Sequence, residues 1–121
     1  MNATNKDIRL CIFGSRDFTD YEFLCKELEP LINKVSCVIS GTARGADFLG
    51  EQWAKEHNIP IEAFPADWKT YGKAAGYIRN GVLADNCNLA YGFWDGRSRG
   101  TQHMINICND KGVPCKIIRF R

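Results

Sequence analysis

The sequence predicts an α/β protein, a three-layer sandwich in which helices cover both faces of a five-stranded, mainly parallel sheet. Three observations support this prediction. Short apolar runs that suit strands alternate with segments whose apolar residues recur at helical spacing. The connections are short, which favours parallel strands joined by right-handed crossovers. A small-residue loop, Ser40–Asp47, follows the second apolar run and opens a helix, an arrangement that suits anion binding at a helix N-terminus.

The predicted strands are short and rich in β-branched and aromatic residues. The first, Ile8–Phe13, is apolar enough to be buried on both faces, as parallel strands are. The second ends at Ser40, before the glycines of the small-residue loop. Turn-forming residues separate the remaining runs. The five predicted strands cover residues 8–13, 36–40, 61–64, 89–94 and 113–118.

Four helices are predicted between these strands. Thr19 and Glu22 fit a capping box at the start of the first helix, whose apolar stripe reaches Ile32. The second extends from Ala46 to about Glu56. A third, at about residues 74–86, carries two interior glycines and follows a charged and aromatic loop at residues 65–73. The fourth carries Met104, Ile107 and Cys108 on one face and ends at Gly112, a good C-terminal signal.

Length and composition indicate one globular domain over residues 1–121. The chain is 45% hydrophobic and 25% charged, with a net charge of +2, which is far from the strongly basic balance of a general nucleic-acid binder. No apolar run approaches a membrane span, and the first residues lack the apolar core of a signal peptide. We therefore expect a cytoplasmic protein without a membrane partner.

The six cysteines predict neither a disulfide framework nor a metal centre. No pair has the C-x-x-C spacing, and neither His57 nor His103 completes a zinc pattern. Cys11, Cys37 and Cys115 fall in predicted strands, and the others fall in helical segments. We interpret them as small buried hydrophobes, and we expect no metal and no cofactor.

Basic residues concentrate in the loops that follow strands. Because the carboxyl ends of parallel strands share one sheet edge, these loops should meet where ligands bind in such sheets. The basic residues are Arg16, Arg44, Lys69, Lys73, Arg97 and Arg99. Arg44 lies between Gly41 and Gly45 and offers a planar fork for phosphate, although a surface ion pair is the alternative. Trp68, Tyr71 and Trp94 could stack on a base, and Trp94 could equally pack beneath a loop.

Five motifs occur in order: Gly14–Asp17, Ser40–Asp47, Pro65–Trp68, Gly76–Asn80 and Phe93–Thr101. Together they resemble the YspA-like branch of the SLOG superfamily, small Rossmann-like proteins of bacteria and phages, over residues 8–118. The superfamily includes cytokinin-activating phosphoribohydrolases, the DNA-processing protein of natural transformation and sensors of nucleotide-derived signals. The resemblance therefore implies a pocket for a nucleotide or a nucleotide derivative.

The predicted ligand-binding residues combine the residue-level interpretation with the resemblance, which implies phosphate on the Gly41–Ala46 loop and on the Gly96–Thr101 turn. Ser15 and Ser40 are interpreted as hydrogen-bond donors to the ligand. We also expect a homo-oligomer. The full predicted set is Gly14, Ser15, Arg16, Ser40, Gly41, Thr42, Ala43, Arg44, Gly45, Asp47, Asp67, Trp68, Arg79, Asn80, Trp94, Asp95, Gly96, Ser98, Arg99, Gly100 and Thr101.

Three functions remain open at this level. The hydrolases of the superfamily use an arginine, which Arg79 matches, and a glutamate, whose position here is Met104. Glycosidic cleavage needs a carboxylate near the anomeric carbon, and methionine supplies none. Binding of a nucleotide-derived signal without catalysis is therefore the leading hypothesis. Hydrolysis through Asp47, Asp67 or Asp95 is the alternative, and single-stranded DNA binding is disfavoured by the modest charge.

Overall fold

The computed structural model describes residues 6–121, and the bounds of its helices and strands follow. The strands are β1 (Ile8–Gly14), β2 (Val35–Ser40), β3 (Ile61–Ala63), β4 (Leu89–Trp94) and β5 (Cys115–Arg119). The helices are α1 (Tyr21–Leu28), α2 (Ala46–Glu56), α3 (Trp68–Tyr71), α4 (Ala75–Asn86) and α5 (Arg99–Lys111). The predicted strand–helix alternation is therefore present along the described chain.

The sheet is parallel throughout, with the order β3-β2-β1-β4-β5. Its chain order reverses between β1 and β4, which pair in register from Leu10 opposite Leu89 to Gly14 opposite Phe93. This topology confirms the predicted Rossmann-like α/β class, and it places the topological switch point at the carboxyl ends of β1 and β4.

The core has two halves because β1 is buried on both faces. Leu10 and Ile12 pack with α1 and α2, where Trp53 is fully buried. Cys11 and Phe13 point to the opposite face and pack with α4 and α5. Burying a large side chain contributes roughly 1.5–3 kcal/mol. Successive residues of β1 point to opposite faces, so they stabilise the packing of the two helical layers in turn. The two halves complete the three-layer sandwich.

The start and the end of α1 differ from the prediction. Its N-cap is Asp20, whose carboxylate accepts a hydrogen bond from the Phe23 amide at 3.1 Å, and Thr19 is not the cap. The helix ends at Leu28 and continues as a 3-10 turn over Glu29–Leu31. Pro30 explains this end, because proline cannot donate the backbone hydrogen bond that an α-helix requires.

The segment predicted as a loop at residues 65–73 contains the short helix α3. Asp67 begins α3 by accepting a hydrogen bond from the Thr70 amide at 3.1 Å. A 3-10 turn over Gly72–Ala74 then leads into α4. Despite Gly76 and Gly81, α4 is continuous. The Asp67 cap thus stabilises one helical turn in a segment that has no long apolar stripe.

All six cysteines are free thiols, and Cys11, Cys87, Cys108 and Cys115 belong to the half of the core formed with α4 and α5. The thiol of Cys11 neighbours that of Cys87, and the thiol of Cys108 neighbours that of Cys115. The neighbouring Cys87 thiol and burial raise the pKa of Cys11. Among residues 6–121, no group of histidines, cysteines and carboxylates is arranged to hold a metal ion. No helix in this range has the length and apolarity to cross a membrane.

Candidate ligand-binding site

Two adjoining clefts open at the carboxyl edge of the sheet, at the switch point. The first, named the larger cleft because more residues line it, has a volume of about 440 Å³ and lies between the end of β1, one side of α4 and the starts of α2 and α5. The second, of about 490 Å³, lies beside the loop that follows β2. Arg16, Ala43, Trp68 and Arg79 line both clefts. The two clefts therefore form one continuous candidate site.

The loop after β2 is built by hydrogen bonds within the protein. The Ser40 hydroxyl donates to a Glu51 carboxylate oxygen at 2.5 Å and accepts from the Thr42 amide at 3.1 Å. Ser40 is fully buried by this arrangement. Thr42 itself has a positive φ of 65°, which is uncommon for a residue other than glycine. Ser40 therefore shapes the loop, and Thr42 and Arg44 are the residues that it exposes.

Two glycines allow close approaches in this loop. Gly45 has a φ of 80°, and a Cβ there would collide with the Ser15 carbonyl and lie 2.7 Å from the backbone of Arg16. A Cβ on Gly41 would lie 2.7 Å from a guanidinium nitrogen of Arg79 and 2.8 Å from Asp47 Oδ2. Glycine at both positions lets the loop touch the β1 turn on one side and the charged groups of the cleft on the other.

Asp47 is the only acidic residue lining either cleft among the described residues. Its side chain is 5% exposed, and Oδ2 accepts a hydrogen bond from the Ala43 amide at 3.2 Å. Burial raises the pKa of Asp47 to about 7, although the Ala43 amide and the nearby guanidinium of Arg79 act in the opposite direction. A substantial fraction of this carboxyl group is therefore protonated at neutral pH.

Arg79 and Asn80 connect α4 to the loops on both sides of the cleft. Arg79 donates hydrogen bonds to the Gly41 carbonyl and, from Nε, to Asn80 Oδ1 at 3.2 Å. Asn80 Nδ2 lies 3.4 Å from the Gly100 carbonyl and 3.1 Å from His103 Nδ1. A guanidinium has five N–H donors, so Arg79 retains donors for an anion after making these two bonds.

The turn after β4 holds the start of α5 in place. The Asp95 carboxylate accepts hydrogen bonds from the Arg97 and Ser98 amides, both at 2.8 Å, and these bonds lower its pKa. The Asp95 amide donates to the Ser15 hydroxyl at 3.1 Å. The Trp94 indole N–H donates to the Ser98 carbonyl at 3.2 Å. Ser15, Trp94 and Asp95 thus act as supports for the turn and do not line either cleft.

Two of the helices that begin at the clefts, α2 and α5, lack side-chain caps. Ser98 is the N-cap of α5, but its hydroxyl pairs with the Thr101 hydroxyl at 3.0 Å and no side chain accepts from the first-turn amides. The start of α2, at Gly45, also has no side-chain cap. Arg16 and Lys73 line the larger cleft with Arg79. Cationic side chains and helix N-termini thus face the same space, which favours an anion.

The structure brings most, but not all, of the predicted site residues into the clefts. Ser15, Ser40, Gly45, Asp67, Trp94, Asp95, Gly96 and Arg99 line neither cleft. The same holds for Lys69 and Arg97, which were expected at this edge. Lining the larger cleft are Gly14, Arg16, Ala43, Asp47, Trp68, Arg79, Asn80, Ser98, Gly100 and Thr101. Lining the second cleft are Arg16, Gly41, Thr42, Ala43, Arg44, Trp68 and Arg79.

Several residues of the larger cleft are absent from the predicted ligand-binding set. Phe13, Leu83 and Met104 contribute its apolar lining, and all three are buried. Tyr77 lines it with half of its surface exposed, and its ring lies 4.3 Å from that of His103. The spacing of Tyr77 and Asn80, three residues apart on a helix, could have indicated that both face the same side.

The fold and the site define a Rossmann-like α/β protein whose cleft lies at the switch point of a parallel sheet. The model of the family described as YAcAr, the YspA, cpYpsA-related SLOG family, matches residues 8–71. This chain belongs to that family, which confirms the resemblance carried by the motifs. The matched region extends from β1 to the end of α3 and includes the loop after β2.

Two known proteins are similar over most of the chain. The Gene 61 protein of Mycobacterium phage D29 is 31% identical over 121 residues, covering 93% of this chain and 95% of that protein. The X-ray structure of DNA processing protein A (DprA) from Streptococcus pneumoniae superposes with a TM-score of 0.75 at 17% identity, covering 91% of this chain. The chain spans 50% of the length of that DprA chain, and this similarity shows the fold.

Proposed function

We propose that this protein binds a nucleotide or nucleotide-derived small molecule in the two adjoining clefts and does not catalyse its conversion. The observation that carries the proposal is the charge of the site. Arg16, Lys73 and Arg79 line the larger cleft, and the single acidic residue there, Asp47, has a pKa of about 7. A site with this balance attracts a phosphate-bearing ligand.

The aromatic residues support a ligand with a planar ring. Trp68 and Tyr77 line the larger cleft and are 53% and 51% exposed. An exposed aromatic ring beside a cationic cleft can stack on a base, a contact worth roughly 1–3 kcal/mol. The larger cleft, about 440 Å³, lies within the usual size range of small-molecule sites. A cytoplasmic site of action follows from the proposal, since nucleotides are abundant there.

Hydrolysis of a nucleotide derivative is the second candidate, and Asp47 favours it. This carboxyl group lines the cleft, and its pKa lies near neutrality, the range in which a group can act as a general acid or base. Met104, at the position of the glutamate of related hydrolases, is buried and lines the same cleft. A thioether cannot transfer a proton, so any such reaction would depend on Asp47.

The first experiment measures binding. Small molecules released from heat-denatured protein are identified by mass spectrometry, and a panel of nucleoside mono-, di- and triphosphates and dinucleotides is titrated by calorimetry. Arg79→Gln should weaken binding about tenfold or more because a charge-assisted hydrogen bond is lost. Arg97→Gln is the matched control, since Arg97 is exposed and lines neither cleft. Equal effects of both substitutions, or no binding by any member of the panel, would refute the proposal.

The second experiment separates binding from catalysis and from nucleic-acid recognition. Adenosine and guanosine monophosphates are incubated with the native protein and analysed for free base by chromatography. We expect no release above the protein-free rate, and release that Asp47→Asn abolishes would establish the hydrolase instead. Fluorescence anisotropy with single-stranded oligonucleotides tests the third function, for which the net charge of +2 predicts weak binding.

A further inference from the structure

Among residues 6–121, Asp47 is the one carboxyl group that lies with the cationic side chains of the candidate site. It is the second residue of α2, a helix whose start at Gly45 has no side-chain cap. Its side chain is buried, yet it lines the larger cleft together with Arg16, Lys73 and Arg79. An ionised carboxylate there repels the anion that the other three groups attract. The charge of Asp47 therefore controls how strongly the cleft holds an anion.

The two carboxyl oxygens of Asp47 have different surroundings. Oδ2 accepts the hydrogen bond from the Ala43 amide and lies 2.8 Å from the Cβ position of Gly41, so it belongs to the loop after β2. No residue in the range 6–121 hydrogen-bonds to Oδ1. In that range the one side-chain N or O atom that is both unpaired and sealed from solvent is Trp53 Nε1. Oδ1 is therefore the oxygen that remains open to the cleft.

Charged and titratable groups face Asp47 from the elements packed around it. Glu51 lies one turn further along α2, and Arg16 follows β1, which also carries the Cys11 thiol. Arg79 approaches from α4, whereas the residues of α5 that line the cleft are uncharged. Burial has the largest influence and raises the pKa of Asp47 to about 7, although both arginines act in the opposite direction. Asp47 can therefore exchange a proton near neutral pH.

We propose that the binding of an anion in the larger cleft is linked to the uptake of a proton by Asp47. The linkage rests on the proposed function, since it concerns the anion bound at the same site. An anion held by Arg79 and by the uncapped amides of α2 must lie close to Oδ1. An ionised Oδ1 repels this anion, whereas a protonated carboxyl group donates a hydrogen bond to one of its oxygens. Protonation thus converts a repulsive group of the cleft into a donor.

The direction of the pH dependence follows from this linkage. The anion binds the protonated form of Asp47, so its affinity is highest at low pH and falls as the pH rises through the Asp47 pKa. At higher pH each anion that binds takes up one proton from the solvent. By reciprocity, the bound anion raises the Asp47 pKa further. Sulfate carries no proton of its own near neutral pH, and it should bind about tenfold more weakly at pH 8 than at pH 6.

NMR titration of the full chain with sodium sulfate tests the proposal. Amide shifts of the loop at residues 41–47 give the sulfate affinity at pH 6 and at pH 8, with ionic strength held constant. The carboxyl carbon resonance of Asp47 gives its pKa with and without sulfate. Sulfate at about ten times its Kd should raise this pKa by about one unit. The resonance is assigned by its absence in Asp47→Asn.

Two variants identify the group that takes up the proton. Asp47→Asn cannot ionise, and its amide N–H stands in for the acid form, so its sulfate affinity should be the same at both pH values. His103→Gln is the matched control, because histidine also changes charge in this range and His103 contacts Tyr77 and Asn80 in the cleft. This variant should retain the pH dependence. Amide spectra without sulfate establish that each variant is folded.

The outcomes separate the linkage from the proposed function. Equal sulfate affinity of the wild type at both pH values would overturn the linkage alone, as would a pH dependence that His103→Gln removes and Asp47→Asn retains. The linkage would also fail if sulfate did not shift the amides of residues 41–47 in a protein that binds a nucleotide. If neither sulfate nor any nucleotide of the panel bound at either pH, both proposals would be overturned.

Discussion

The helices that follow the strands begin in two different ways. At α1 and α3 an aspartate side chain, Asp20 or Asp67, accepts a hydrogen bond from a first-turn amide. At α2 and α5 no side chain does so, although Ser98 is placed to cap α5. The capped helix starts contribute nothing to the larger cleft beyond Trp68, whereas residues of both uncapped starts line it. An anion bound at such a start would compete with a side-chain cap for the same first-turn amides.

The largest expected effect concerns Asp47, the carboxyl group at the uncapped start of α2. Its pKa of about 7 exceeds the ordinary 3.8, so the folded state binds more protons between these values and stability falls as the pH rises through this window. Asp47→Asn should remove this pH-dependent fall in stability, because an amide side chain does not ionise. The variant should unfold with a free energy higher by about 4 kcal/mol near pH 8, and should match the wild type below about pH 4. Urea denaturation across pH measures this difference.

Asp95→Asn provides a control of opposite sign. Hydrogen bonds from the Arg97 and Ser98 amides lower the pKa of Asp95, so its ionised form stabilises the fold at neutral pH and this contribution is lost on acidification. The variant should be less stable than the wild type at neutral pH. If Asp47→Asn were destabilising in the same way, Asp47 would be an ordinary cap and the contrast between the helix starts would fail.

The second prediction concerns Gly45 at the uncapped start of α2. Gly45→Ala should destabilise the protein by about 3 kcal/mol, since the methyl group adds backbone strain and a collision with the Ser15 carbonyl. Gly72→Ala is the matched control. Gly72 has a similar backbone, with φ 56° and ψ −132° against 80° and −129°, but no neighbour near its Cβ. Equal decreases in the melting temperature of the two variants would show that backbone strain, and not the collision, destabilises Gly45→Ala.

The third prediction changes an uncapped start into a capped one. Ser98→Asp supplies a carboxylate for the α5 amides, so binding of inorganic phosphate or of a nucleotide should weaken at least tenfold, about 1.4 kcal/mol. Thermal stability should be retained. Ser98→Asn offers a neutral cap and should weaken binding less. Calorimetry distinguishes the two variants, and unchanged affinity in Ser98→Asp would exclude the α5 start from the site.

The smallest effect is expected at a capped start. Asp20→Ala removes the carboxylate that accepts from the Phe23 amide, which should cost about 1 kcal/mol of stability. Ligand affinity should be unchanged because α1 does not line either cleft. Chemical denaturation and calorimetry of the same preparation test both statements. A loss of affinity would contradict the division between capped and uncapped helices.

Much of the architecture was predictable because strand burial leaves a clear pattern. β1, β2 and β4 are short apolar runs bounded by turn residues. The continuous apolar run of β1 reflects burial on both faces, since its successive side chains enter the two halves of the core in turn. The less predictable features depend on single hydrogen bonds. Thr19 and Asp20 are both good caps, and only the three-dimensional arrangement selects Asp20.

The candidate site was predictable as an edge of the sheet but not as a set of contacts. Loop position indicated Arg16 and Arg44, and the family resemblance indicated Arg79; all three line the clefts. Ser15 and Ser40 have the same polarity as ligand donors, yet both are buried in hydrogen bonds within the protein. Phe13 and Met104 have the spacing of core residues. Sequence spacing cannot distinguish a core side chain from one that lines a cleft.

Two buried thiols in the half of the core formed with α4 and α5 can report on the opening of that helical layer. Cys11 on β1 and Cys108 on α5 are completely inaccessible, and α4 and α5 carry one wall of the larger cleft. An alkylating reagent can reach these sulfurs only when that layer lifts from the sheet, so their rate of modification measures the free energy of the opening. A ligand bound across the cleft should slow the labelling of Cys11 and Cys108, which mass spectrometry can follow without any introduced probe.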